Sequence, residues 1–137
     1  MSESELDITE FVSRACARDY AASAMELGQD AGRVTWQAAL DDSEAYPFLD
    51  TDEKRETFRR FAKSTGGWTE EEIAKWSDAE LNALCIQFVA EALREAKIDD
   101  QATDETWAQY QSDSEEGRIG SALFRDDDGR IYYSIQE

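Results

Sequence analysis

Apolar residues recur along this chain at helical spacing, broken by short polar starts and stops. Ile8, Phe11, Val12, Ala15 and Cys16 fall at i, i+3, i+4, i+7 and i+8, one face of a helix. Asp7, with Glu10 three residues on, predicts the capped start of that helix. From Ala17 to Gly28 the pattern is ambiguous, with Tyr20 and Met25 as core candidates and Gly28 or Gly32 as the stop. A second helix is expected from about Asp30 to Asp42, with Ala31, Val34, Thr35, Ala38 and Ala39 inside.

Tyr46-Pro47-Phe48-Leu49 reads as a turn with an apolar anchor. Asp50 and Glu53 predict the next helix start, with Phe58, Phe61 and Ala62 inward and Lys63 to Gly67 as its end. Thr69 with Glu72, and Ser77 with Glu80, repeat the capping-box spacing. The segment from about 78 to 97 is apolar around most of its circumference. Leu81, Leu84, Cys85, Phe88 and Ala92 make one stripe, and Ile86, Val89 and Leu93 a second. Such a helix is expected at the centre with others packed around it, and Phe88 is expected to be buried.

The C-terminal part changes period. Ile119 to Phe124 and Arg130 to Ile135 are strand-like and flank Asp126-Asp127-Asp128-Gly129. Asp-Gly between such runs predicts an antiparallel hairpin over about 118–136, because a type I′ turn needs positive φ at its centre. The expected fold is therefore α+β, one mainly helical domain spanning 1–137, with residues 1–6 as a loose tip. The hairpin stands alone or joins an earlier strand near Val34.

Charge changes this picture most. The 137 residues hold 32 carboxylates against 14 Lys and Arg, a net charge of −18, with no histidine and two cysteines. Such a charge opposes direct binding to phosphates, which takes Lys/Arg clusters. Without histidine the usual general base and zinc ligand are missing. Two cysteines cannot build a four-thiolate site or a disulfide framework. High charge with few apolar residues signals disorder, but 41% apolar and 11% aromatic residues suffice for a core. No run approaches a membrane span and Met1 to Glu5 does not read as a signal peptide. A cytoplasmic protein with reduced Cys16 and Cys85 is expected.

Candidate chemistry is sparse. Asp126 to Ile131 resembles part of a calcium loop, but alignment puts Phe124 at the first ligand position and Ile135 at the twelfth, so it reads as a turn. Cys16 and Cys85 lie on apolar faces and read as small hydrophobes. Carboxylate pairs arise by chance among so many acids. No catalytic residue, metal site or cofactor is expected, and the chain does not read as an enzyme. Lys54, Arg55, Arg59, Arg60 and Lys63 form a basic island of net +2 between Thr51 and Thr65. It reads as neutralising acidic neighbours within the chain or, alternatively, as docking a second subunit.

The acids are not evenly spread. Ile98 to Gly117 contains no Lys or Arg and carries −7 over twenty residues: Asp99, Asp100, Asp104, Glu105, Asp113, Glu115 and Glu116. Trp107 and Tyr110 lie inside this run, on a short helix expected from about Asp104. Together these nine residues are the expected partner-binding site, with Trp107 as the interface anchor among the four Trp. Duplex DNA carries about one charge per 1.7 Å, so eighteen charges match roughly 31 Å of duplex. A compact chain of this length has a radius of gyration near about 14 Å, which makes it about that size across. An acidic band could therefore occupy a basic groove, by steering and competition.

Glu26-Leu27-Gly28, Ala31-Gly32 and Thr35-Trp36, with the ending Gly129-Arg130-Ile131 and Tyr133-Ser134, resemble small acidic accessory proteins of bacterial plasmids and related mobile elements. The resemblance covers a minor part of the chain and implies an accessory role without naming any site residue. The expected function is an acidic interaction protein of such an element, a DNA mimic inhibiting a DNA- or RNA-binding host enzyme, of anti-restriction or anti-CRISPR type. Its partner would be a basic protein surface, not nucleic acid or membrane. A generic protein-protein interaction module, or a salt-adapted acidic domain, are the alternative readings of the same charge.

Overall fold

The computed structural model describes residues 3–18, 39–64, 67–96, 98, 102–116 and 123–136. In chain order its elements are β1 (Glu3–Asp7), α1 (Thr9–Arg18), α2 (Asp52–Ser64), α3 (Glu70–Ala74), α4 (Asp78–Ala96), α5 (Asp104–Glu115), β2 (Leu123–Arg125) and β3 (Ile131–Gln136). Residues 39–42 are also helical. The fold is α+β, mainly helical, with a three-stranded antiparallel sheet of order β1-β3-β2.

Local rules set most helix starts. Thr69 and Glu72 close a reciprocal capping box on α3. Ser77 and Glu80 do the same for α4, with both bonds at 3.1 Å. Two starts fall later than the sequence expects. Asp7 ends β1, and its carboxylate accepts from the N–H of Thr9 at 3.1 Å and the Thr9 hydroxyl at 2.7 Å, so α1 begins at Thr9. At α2 the cap is Thr51, whose Oγ1 accepts from the Lys54 N–H at 3.1 Å. Asp50 instead meets the Lys54 ammonium at 3.0 Å.

α4 carries the core as expected. Leu81, Leu84, Cys85, Ile86, Val89 and Leu93 are all buried. Ile8, Phe11 and Val12 at and before the start of α1, and Phe58 and Ala62 of α2, are buried with them. Phe88 is only half-buried, packed edge-on against Phe58 and Phe61 at 5.8 and 5.2 Å. The expectation of a fully buried Phe88 is thereby corrected: it closes the outer side of an aromatic trio whose centre is Phe58. Ala15, Cys16, Tyr20, Met25, Val34 and Trp36 fall on side chains or segments outside the described residues.

Segment 43–49 is held to α4 by Asn82, which is 5% exposed. Its Oδ1 accepts from the Leu49 N–H at 2.9 Å, and its Nδ2 donates to Ser43 Oγ at 3.0 Å and the Tyr46 carbonyl at 2.9 Å. This sets Tyr46 and Phe48 edge-on to Phe11, at 5.2 and 5.5 Å.

The hairpin expected at the C-terminus is present, but its turn is centred earlier than Asp128-Gly129. The Gly129 N–H bonds the Asp126 carbonyl at 3.1 Å, across Asp127 and Asp128, and Gly129 has φ +84°. Asp126 Oδ1 accepts from the N–H groups of Asp128 and Arg130 at 3.0 and 2.9 Å, which favours the longer loop. The third strand among the described residues is β1; the segment near Val34, the expected alternative, lies outside them. Residues 3–7 therefore form a paired strand where a loose tip over 1–6 was expected. Leu6 supplies the reason: it stands opposite Tyr133 and is 1% exposed. Arg130 Nε donates to Asp7 Oδ2 at 2.7 Å and locks the strand's end to the hairpin.

Asn82→Ala leaves the buried Leu49 N–H without its acceptor and is expected to destabilise by about 2–4 kcal/mol. A loss under about 0.5 kcal/mol in a urea titration, within the usual scatter of surface substitutions, would show that segment 43–49 does not depend on it. Phe58→Ala is expected to cost about 3–5 kcal/mol, and Phe88→Ala clearly less. Equal costs in the same titration would contradict the burial difference.

Candidate protein-binding surface

α5 begins at a Thr cap. The Thr106 N–H bonds Thr103 Oγ1 and the Thr103 N–H bonds Thr106 Oγ1, both at 3.3 Å. Asp104 and Glu105 follow in the first turn, where the helix dipole favours negative charge. Trp107 and Tyr110, three residues apart, both turn inward. They are 9% and 6% exposed, and their rings meet edge-on at 5.9 Å.

Tyr110 has a specific structural task. Its hydroxyl accepts from the buried Leu123 N–H at 3.0 Å. Leu123 lies on β2, an edge strand of the sheet, so α5 covers a backbone donor that the sheet leaves over. Trp107 has the Arg125 guanidinium above its ring at 5.3 Å, and Arg125 Nη2 donates to Asp104 Oδ1 at 2.9 Å. The two aromatics thus join α5 to β2. Trp107, the expected partner anchor, is 9% exposed beneath the Arg125 guanidinium and lines the groove beside β2. Of its polar neighbours, Asp104 lies on the same side and holds that arginine, whereas Glu105 is exposed.

The acids of this run divide by environment. Glu105, Glu115 and Glu116 are exposed. Asp104 is exposed and paired with Arg125, while Asp113 is half-buried and accepts from Gln109 Nε2 at 2.9 Å. Asp99 and Asp100 lie outside the described residues. An open groove of about 730 Å³ runs between α5 and β2, lined by Trp107, Ala108, Gln111, Glu115 and Phe124 among others.

The Arg125–Asp104 pair brings a further group of acids to this surface. Residue 126 follows Arg125 directly, so the Asp triplet begins one residue beyond the side chain that bonds Asp104. Asp127 and Asp128 are exposed there, and Asp126 is half-buried. Sequence reasoning assigned this triplet to a turn and left it out of the site. Three consecutive acids in a solvated loop were the available signal, but only the cross-link from Arg125 places them next to Asp104.

The basic island lies elsewhere and is engaged within the chain. Lys54 meets Asp50 at 3.0 Å, Arg55 meets Asp52 at 2.6 Å, and Arg55 and Arg59 each reach Asp78 at 3.8 Å. Arg60 reaches Glu56 at 3.6 Å and Lys63 pairs with Glu70. Such exposed pairs contribute little stability each, but they set α2 cations against the acidic start of α4. The Lys63 ammonium, by hydrogen bond and charge, holds the Glu70 carboxyl below its usual range.

Other reactive groups are quenched by burial. Burial pushes the Cys85 thiol far up, so it is no nucleophile. Among the described residues no group of three or more His, Cys, Asp or Glu is arranged to hold a metal, and no helix is long and apolar enough to cross a membrane. Comparison with protein-family models, curated proteins and solved structures finds no match for this chain.

Tyr110→Phe removes only the hydroxyl that accepts from Leu123, and is expected to cost about 1–3 kcal/mol. Amide exchange at Leu123 should accelerate in step. Unchanged protection there would mean that the edge N–H has another partner.

Proposed function

We propose that this chain is a small acidic interaction protein that docks onto a basic protein surface through the outer side of α5 and the hairpin tip. The surface it seeks is one that otherwise holds nucleic acid. The chain then acts as a DNA mimic that inhibits a DNA- or RNA-binding host enzyme, of anti-restriction or anti-CRISPR type, in the cytoplasm of a bacterium carrying a mobile element. It performs no catalysis of its own in this reading.

One observation carries the reading: acids and cations are segregated. Lys54, Arg55, Arg59, Arg60 and Lys63 gather on α2, against Asp50, Asp52, Glu56, Glu70 and Asp78. On α5 and the hairpin tip, Glu105, Glu115, Asp127 and Asp128 are exposed, and Arg125 and Arg130 are each bound to a carboxylate. A salt-adapted coat would spread its acids; segregation favours a face that attracts a cationic partner. Such a face raises the on-rate by long-range steering, and screening weakens it beyond about 8–10 Å at physiological salt.

The test neutralises Glu105→Gln, Glu115→Gln, Asp127→Asn and Asp128→Asn together. None of these side chains forms an ion pair among the described residues, and Asp104 is kept because it holds Arg125. With a partner captured from bacterial lysate at low salt, the fourfold variant is expected to associate more slowly, with a shallower salt dependence and an unchanged melting temperature. Equal affinities and equal salt slopes would remove this face from the interface.

A further inference from the structure

The outer face of the sheet carries aromatic rings that the fold does not bury. Phe124 is 36% exposed, the one exposed large hydrophobic side chain among the described residues. It stands opposite Tyr132 in the β2–β3 register, and Asp7 stands opposite Tyr132 from the other side. Asp7, Tyr132 and Phe124 therefore form one row across the three strands. The two rings stack at 5.2 Å with 17° between their planes. The Tyr132 hydroxyl has the Asp126 and Asp7 carboxylates as neighbours, with Arg130 tied to Asp7 beside them. Asp127 and Asp128 lie one and two residues further along the tip.

The chain also contains a closed version of this arrangement. Arg125 stacks over Trp107 while its Nη2 donates to Asp104, so ring, guanidinium and carboxylate complete one another. In the outer row the ring and the carboxylates recur, and among the described residues no cation stacks over Phe124. A guanidinium is planar and weakly hydrated, so it stacks on an aromatic face while its edge N–H groups reach carboxylates. An ammonium can match the charge but not the stacking.

We infer that the Phe124–Tyr132 pair, flanked by the acids of the hairpin tip, seats an arginine side chain of a basic partner. The occupant follows from charge complementarity: the tip is acidic, and the exposed surface beside it is an aromatic stack. This rests on the proposed docking of a basic surface and names its anchor. Phe124 is the more exposed of the two rings, itself and Trp107, that line the α5–β2 groove. Aromatic side chains that become covered on binding are enriched among the residues that contribute most to affinity.

The experiment uses the full chain and two blocked peptides of equal length, tetra-arginine and tetra-lysine, followed by NMR of the aromatic ring resonances. Tetra-arginine is expected to shift the Phe124 and Tyr132 rings and to bind about two- to fivefold more tightly than tetra-lysine. Phe124→Leu, at an exposed position, should keep the melting temperature and erase the preference, leaving both peptides at the tetra-lysine level. Tyr132→Phe, which keeps the stack, should preserve it. Equal binding of both peptides, with backbone amide shifts at Glu105 and Glu115 in the same titration and none in the two rings, would overturn the seat while leaving the acidic face as a docking surface. An arginine preference that survives Phe124→Leu would also overturn it. Binding of neither peptide would overturn both.

Discussion

The carboxamide of Asn82 sits inside the apolar wall of α4 and meets its partners only if residues 43–49 lie across it in one register. Both ends of the amide are engaged, so a shift of one residue would leave a buried polar group unpaired, which costs more than an average hydrogen bond contributes. From that register the rest follows. Tyr46 and Phe48 are delivered to Phe11 on α1. The Leu49 carbonyl accepts from Arg55 Nη1 at 2.9 Å at the start of α2. A single buried side chain thereby relates three helices that are far apart in sequence.

The second constraint is electrostatic. A chain of charge −18 repels itself in the compact state, so its stability has to come from apolar packing and from cations placed where they help. The α2 cations reach the acidic first turn of α4, and the hairpin arginines tie β2 to α5 and β3 to β1. Trp107 and Tyr110 turn inward on α5, while Glu105 and Glu115 remain exposed. The same packing that stabilises the sheet edge thus creates an acidic face.

Elements specified by near neighbours were legible in the sequence. Thr69 with Glu72 and Ser77 with Glu80 mark caps whose bonds span three residues. The stripes of α4 and the strand-turn-strand ending are likewise local. What depends on distant residues was not legible. Glu3–Asp7 is a short polar run that becomes a strand only because β3 offers an edge and Leu6 a place in the core. Trp107 sits among acids in sequence, yet its ring is covered by Arg125, eighteen residues away. Asn82 looks like one more polar residue on an apolar helix until Leu49 and Ser43 are placed against it. The acids of the site could be read from charge; their junction with the hairpin tip could not.

In the proposed function the exposed carboxylates occupy a basic groove by the forces that hold nucleic acid there, so the two ligands should exclude each other. The most direct measurement is whether a captured partner can hold this chain and a DNA or RNA duplex at once, followed by fluorescence anisotropy of labelled duplex and by sedimentation of the mixture. The account predicts that the chain releases the duplex competitively and that no ternary complex forms. A ternary complex, with duplex affinity unchanged at saturating chain, would contradict it.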